Sequence, residues 1–392
     1  MNVLGIIAEY NPFHNGHMYH LKSALTKADA DYTVCVMSGN FIQRGEPALF
    51  NKFIRADMAI NCGIDLIIEL PVYYSVSTAE KFAYAGVKLL NECGANYISF
   101  GCETADVSQL ISISNLLLNE TYEYKNELKK QLNLGLSYPD ARSKVISKLL
   151  NISSNITNQP NNILAIEYLK ALAQINPIIT PIPVERVDSN YYDTDSKTNI
   201  LSATGIREKL KHSEDVDIFM PQGTLSLMKD PVFLKDFEQL ILFSLRKLSL
   251  SELKALPDVT EGLENRILSA IISSSTLDEL IDKIKTKRYP LTRIKRILIS
   301  AVLGLSKEKL QLFDKSGGPQ YIRILGCNEK GKELLSLISK KSNLPIITSV
   351  NKFLSTATDL QKEMLHKDIL ATNIYTLITK DKTMNLDYTR RL

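Results

Sequence analysis

Short apolar runs alternate with longer segments of helical periodicity through the first half of the chain. Val3-Leu4-Gly5-Ile6-Ile7-Ala8 is apolar on both faces and is stopped by Tyr10-Asn11-Pro12, which predicts a buried strand followed by a turn. Apolar positions then recur at helical spacing from His17 to Ala28. Further buried strands are expected over Tyr32–Met37, Asp65–Leu70, Asn96–Phe100 and Ile179–Val187, with a helix over Ala79–Leu90. Strands that are apolar throughout, alternating with helices, indicate an α/β fold whose parallel sheet is covered on both faces.

From about residue 106 to 176 the pattern is mostly helical, with Pro160-Asn161-Asn162 opening a helix over Ile163–Leu172 and an asparagine as its cap. Asp188–Thr198 is polar and turn-rich, so it is expected to be an exposed loop. Beyond residue 215 amphipathic helices dominate, over Phe237–Leu248, Leu263–Ile271, Leu277–Ile284 and Thr292–Leu305. The next strand is expected only at Pro345–Ser349. The pattern changes near Pro221-Gln222-Gly223, dividing the chain into residues 1–220 and 221–392.

Composition narrows the picture. The chain has 392 residues, 44% of them hydrophobic and 23% charged, as expected of an ordinary globular protein. No apolar run approaches a membrane span and the opening strand lacks the features of a secretory leader, so a cytoplasmic protein is expected. Five scattered cysteines without a Cys-x-x-Cys pair suggest free thiols rather than disulfides or a structural zinc site. The net charge of +4 is uneven: residues 231–392 hold 27 basic against 18 acidic side chains, leaving −5 on the first 230. A basic second half is compatible with a polyanionic partner.

Three of the five histidines, His14, His17 and His20, fall within one short stretch where the first strand hands over to its helix. A helix N-terminus offers free amides and a positive dipole end, and Gly16 permits close backbone approach. His14 and His17 can then donate hydrogen bonds to a triphosphate and stabilise charge on the departing pyrophosphate. A zinc site built from His14, His17 and either His20 or Glu9 is the rival reading. Ser202-Ala203-Thr204-Gly205-Ile206-Arg207 opens a later helix after the fifth strand, and is either an ordinary cap or a second phosphate cradle built on Ser202, Thr204 and Arg207. The loop Ser38–Pro47 follows the second strand on the ligand-binding edge of the sheet. Lys52 and Arg55 beyond it either face the same pocket or form a solvated helix face. Lys283, Lys285, Lys287, Arg288, Arg293, Lys295 and Arg296 cluster around Tyr289-Pro290, which fits either RNA contact or a solvated basic face; Tyr321-Ile322-Arg323 is a weaker addition.

Gly5–His17 resembles the opening block of the bacterial tRNA(Met) cytidine acetate ligase family, within the wider HIGH-type nucleotidyltransferases. Ser38–Pro47, Pro160–Leu164, Ser202–Arg207 and Tyr321–Gly331 resemble further blocks of that family, so the likeness spans nearly the whole chain. Departures fall at Ala165, where glycine is expected, and at Val187–Tyr192. The resemblance implies a Rossmann-like catalytic domain over residues 1–220 and a mainly α-helical, tRNA-binding domain over 221–392. It implies ATP as cosubstrate with Mg2+, no dedicated protein metal site, acetate as the acid that is adenylated, and the wobble cytidine of elongator tRNA(Met) as acceptor. It assigns ATP binding to Ile7, Ala8, Glu9, Tyr10, Asn11, Pro12, Phe13, His14, Asn15, Gly16, His17, Met18, Tyr19 and His20. Gly101, Asn162 (or its neighbour Asn161) and Arg186 complete that site. The alternatives are a nucleotidyltransferase adenylylating a small phosphate substrate, and a tRNA-binding protein with a vestigial nucleotide pocket.

Overall fold

In a computed structural model the described residues are 1–104, 106–176, 178–186, 199–260 and 262–390; the expected loop over 188–198 and the departure at 187–192 lie outside them. The strands are β1 (Val3–Ala8), β2 (Tyr32–Ser38), β3 (Phe41–Ile42), β4 (Glu46–Pro47), β5 (Leu66–Leu70), β6 (Tyr97–Cys102), β7 (Thr180–Glu185), β8 (Ile322–Cys327) and β9 (Ile346–Ile347). Seven of them form one sheet in the order β7-β6-β1-β2-β5-β8-β9, while β3 and β4 make a small hairpin. The five strands from β7 to β5 run parallel, as their two-sided apolar character requires.

Helix α1 (Asn15–Ala28) and helix α2 (Lys52–Asn61) bury Leu21, Ala24, Ala56 and Ala59 on one face of the sheet. The helices Ala79–Glu92 and Pro160–Ile175 bury Phe82, Val87, Ile166 and Leu169 on the other. The expected α/β sheet with a helix-rich C-terminal part is therefore observed. No helix among the described residues is long and apolar enough to cross a membrane. The Pro160–Ile175 helix starts earlier than its pattern suggests, because Pro160 occupies the first helical position and Gln159 the cap, so Asn161 and Asn162 lie inside it. Ala165 is fully buried on that helix.

Two features beyond residue 220 differ from the pattern reading. Residues 322–327 form β8, which pairs antiparallel with β5 and parallel with β9. Arg323 in its centre reads as an exposed residue, yet it is only 3% exposed because acidic partners meet it inside. Its Nε lies 3.3 Å from Glu69 Oε2, and its Nη2 donates to Asp387. Lys52 closes the square, with Nζ 2.7 Å from both Glu69 Oε1 and Asp387 Oδ1. Lys52 thus faces neither a pocket nor solvent, and neither Tyr321 nor Arg323 is available to RNA.

The hairpin β3–β4 is held against the C-terminal helices. Gly45 (φ +75) presses on the backbone of the Leu291–Leu303 helix so closely that a Cβ there would lie 2.2 Å from Arg296 N. Lys295 pairs with Glu46 beside it.

Candidate active site

β1 lies between β6 and β2, so the chain winds away from it in both directions and opens a crevice at the carboxyl ends of the strands. A cavity of about 650 Å3 occupies this place. Its walls come from the end of β1, the start of α1, the hairpin tip Gln43-Arg44, Gly101 on β6, Arg186 after β7, and the start of the Ala203–Lys211 helix.

His14 is the N-cap of α1, and its Nδ1 accepts the Gly16 N–H at 3.0 Å. That acceptor role places the proton of the neutral ring on Nε2. His17 Nδ1 accepts the His14 N–H at 3.4 Å, so the two rings cap reciprocally and stack with centroids 3.9 Å apart. Tyr10 and Phe13 back the His17 ring at 4.9 and 5.6 Å. Gly16 has a use beyond close phosphate approach: a Cβ there would come within 2.7 Å of the His14 ring.

Burial and then the guanidinium groups of Arg186 and Arg207 push His14 down to about 3. Burial, Arg186 and Lys27 push His20 down to about 4, and His20 Nε2 lies 3.0 Å from Ser99 Oγ. Burial, His14, His20 and Arg186 also hold His17 well below the usual histidine range. All three rings are neutral at pH 7. The unfolded chain takes up these protons near pH 6.5, whereas folded His14 and His20 resist them until about pH 3 and 4 and His17 is shifted the same way, so the three rings' contribution to stability is present above about 6.5 and lost as pH falls. Urea midpoints should therefore drop between pH 7.5 and 5, and drop less in His20→Asn. An equal drop in that variant would remove the assignment of a neutral, buried His20.

Arg207 donates to the Asn11 carbonyl at 3.1 Å and to Thr204 Oγ1 at 3.0 Å, tying the second element to the first. Ser202 caps its helix by accepting the Gly205 N–H at 3.1 Å. Ile7, Ala8, Glu9, Tyr10, Asn11, His14, Gly16, His17, Tyr19, His20, Gly101, Arg186, Ser202, Thr204 and Arg207 all line the cavity. Pro12, Phe13, Asn15 and Met18 do not. Phe13 is fully buried with the α1 core, and Met18 packs at its edge. Asn15 Nδ2 donates to the carbonyls of Asn199 and Ile218 at 2.7 and 3.0 Å. Asn162 is fully buried, its Oδ1 accepting the Glu103 N–H at 2.9 Å, while Asn161 reaches the cavity wall.

Arg55 is buried beneath the site rather than in it. It donates to the carbonyls of Phe50, Ser38, Gly39 and Glu9, clamping the ends of β1 and β2. Tyr168 and Thr292 line the cavity and had no local signal, since one sits on a core helix and the other comes from the distant half. Of the basic cluster, Lys283, Lys285, Lys287 and Arg288 are exposed. Arg293 donates to Asp258 O at 3.0 Å, Arg296 pairs with Asp258 at 2.6 Å, and Lys295 pairs with Glu46. These last three are held by the protein itself, as is Lys283, which donates to the Ser273 carbonyl.

A crevice with paired neutral imidazoles, helix-end amides and two arginines has the chemistry of a nucleotidyl transferase site. The model of the HIGH Nucleotidyl Transferase family matches residues 1–390. The tRNA(Met) cytidine acetate ligase of Acetivibrio thermocellus is 41% identical, covering 97% of this chain and 96% of that protein. The protein of the same name from a Thermoanaerobacter strain is 43% identical, covering 99% and 98%. Among solved structures, Thermotoga maritima TmcAL bound with alpha-thio ATP superposes with a TM-score of 0.92 at 32% identity, over 100% of this chain and 98% of that one. The chain belongs to the HIGH nucleotidyl transferases and, within them, to the tRNA(Met) cytidine acetate ligase family.

Proposed function

We propose that this chain is an ATP-dependent acetate ligase that acetylates the wobble cytidine of elongator tRNA(Met), working in the cytoplasm where ATP and tRNA meet. Identity of 41–43% over nearly the full length of proteins so named is the observation that carries this reading. Acetate attacks the α-phosphate of ATP, giving acetyladenylate and pyrophosphate. The exocyclic amine of the cytidine then attacks the acetyl carbonyl, giving 4-acetylcytidine and AMP. In this scheme His14 and His17 donate to the oxygens on which charge grows as pyrophosphate leaves, with Arg207 and Arg186 supplying fixed positive charge. Mg2+ would accompany ATP in this scheme and help to neutralise charge on the phosphates. Mass spectrometry of tRNA(Met) incubated with ATP and labelled acetate should show one labelled acetyl group on a cytidine. Its absence would sink the reading.

The mainly helical residues 221–392 form the tRNA-binding part in this proposal, and the exposed Lys283, Lys285, Lys287 and Arg288 are its phosphate contacts. Replacing Lys285 and Lys287 together with alanine should weaken tRNA binding and flatten the dependence of log affinity on log salt by roughly 1.5. A filter-binding salt titration measures this. An unchanged slope would move the tRNA contact elsewhere.

A further inference from the structure

Glu9 is out of place in a site made for anions. It stands at the carboxyl end of β1 and lines the cavity beside His14, His17 and Arg207. A carboxylate there adds negative charge to a site for a triphosphate and acetate, offset in part by Arg44, Arg207 and Arg55. Its Oε1 accepts the Gln43 N–H at 2.9 Å, and among the described residues no hydrogen bond reaches Oε2. Gln43 belongs to the hairpin tip, held in turn by Ser77, whose carbonyl accepts Gln43 Nε2 at 3.1 Å.

The direction in which Glu9 lies decides what it meets. The hairpin that fixes it is the one pressed against the Leu291–Leu303 helix by Gly45 and by Lys295–Glu46. That helix starts beside the exposed basic residues and sends Thr292 into the cavity wall. Gly101, Tyr168 and Arg186 also line the cavity, from β6, from the Pro160–Ile175 helix and after β7. Glu9 is thus tied, through the hairpin, to the helix that follows the exposed basic residues.

We propose that Glu9 is a catalytic residue of the second half-reaction, its free oxygen taking the proton from the cytidine amine as that amine attacks the acetyl carbonyl. This inference rests on the acetate-ligase reading above. A cytidine amine is a poor nucleophile, because its lone pair is delocalised into the ring. As the N–C bond forms, one N–H proton passes to Glu9 Oε2. The carbonyl then re-forms, the bond from the acetyl carbon to the AMP phosphate oxygen breaks, and AMP leaves with the electron pair. Glu9 returns the proton to solvent once product departs. Burial raises the Glu9 carboxyl above its ordinary range, against Arg44, the Gln43 amide, Arg207 and Arg55, which makes it a better base than an exposed glutamate. The Tyr168 phenol, which burial keeps protonated, also feels the Glu9 carboxylate, and the neutral His14 and His17 rings line the same cavity.

The test is Glu9→Gln, which keeps shape and keeps an oxygen for the Gln43 amide. Two rates are measured: acetate-dependent exchange of labelled pyrophosphate into ATP, and single-turnover acetyl transfer to tRNA(Met) from acetyladenylate formed in place. Transfer should fall between about 100- and 10,000-fold further than exchange does. Wild-type transfer should rise with pH through the raised carboxyl and level off, and the variant should lose that limb. Equal losses in both rates would make Glu9 a nucleotide- or cation-binding group and overturn the proposal. Wild-type transfer by the variant would overturn it while leaving the ligase reading intact. Absence of acetate-dependent exchange in the wild type would instead remove the ligase reading itself.

Discussion

Alanine at His14 or at His17 is expected to slow acetate-dependent pyrophosphate release by roughly two orders of magnitude, about 3 kcal/mol of barrier for each lost donor. The two variants need a control, because each ring is also part of the helix cap. Losing a cap costs about 1 kcal/mol of stability by itself. His14→Asn restores a side-chain acceptor at the cap but has no ring nitrogen reaching forward. Its stability should recover towards wild type while its rate stays low. A rate that recovers with the cap would reduce His14 to a structural role. An unchanged rate in both alanine variants would remove the paired imidazoles from the chemistry altogether.

The second large effect belongs to the buried square of Lys52, Glu69, Arg323 and Asp387. Lys52→Ala should destabilise the fold by roughly 3–5 kcal/mol, because it leaves two carboxylates sharing Arg323 away from water. Burial alone would raise the Asp387 carboxyl; Lys52 and Arg323 outweigh it and hold the group below its ordinary range. Removing residues 385–392 deletes the same carboxylate from the other end and leaves two buried cations sharing Glu69. That truncation should lower the urea midpoint by a similar amount. The square also meets the site: Lys52 N donates to Asn40 Oδ1 at 2.7 Å, and Glu69 fills the space beside Gly39 on the loop after β2. Loss of stability below about 1 kcal/mol in both proteins would mean the charges are hydrated and do not lock the tail.

Much of the N-terminal half could be read without coordinates. A run such as Val3–Ala8 has no polar side to expose, and its length fits a strand, so both its type and its burial follow from composition. His14, Asn15, Gly16 and His17 are adjacent in the chain, so their meeting at a helix start needs only local geometry. The same local logic gave Ser202 as a cap.

What eluded the pattern was everything that depends on a partner far away in the chain. Arg323 looks like a surface residue until Glu69 and Asp387 arrive, and with it the strand β8 looks like a loop. Lys52 and Arg55 are spaced as a solvated face, and only the carbonyls and carboxylates folded around them make burial affordable. Asn161 and Asn162 differ by one position, and the helix phase set by Pro160 turns one to the cavity and the other to Glu103. The sequence by itself determined the reciprocally capped histidine turn and the parallel sheet beneath it, because those rest on contacts between near neighbours and on side chains with a single comfortable environment. Tertiary structure alone decided which charges are buried and which distant residues complete the cavity, because a buried ion's cost is offset only by partners whose positions the chain reveals when it closes.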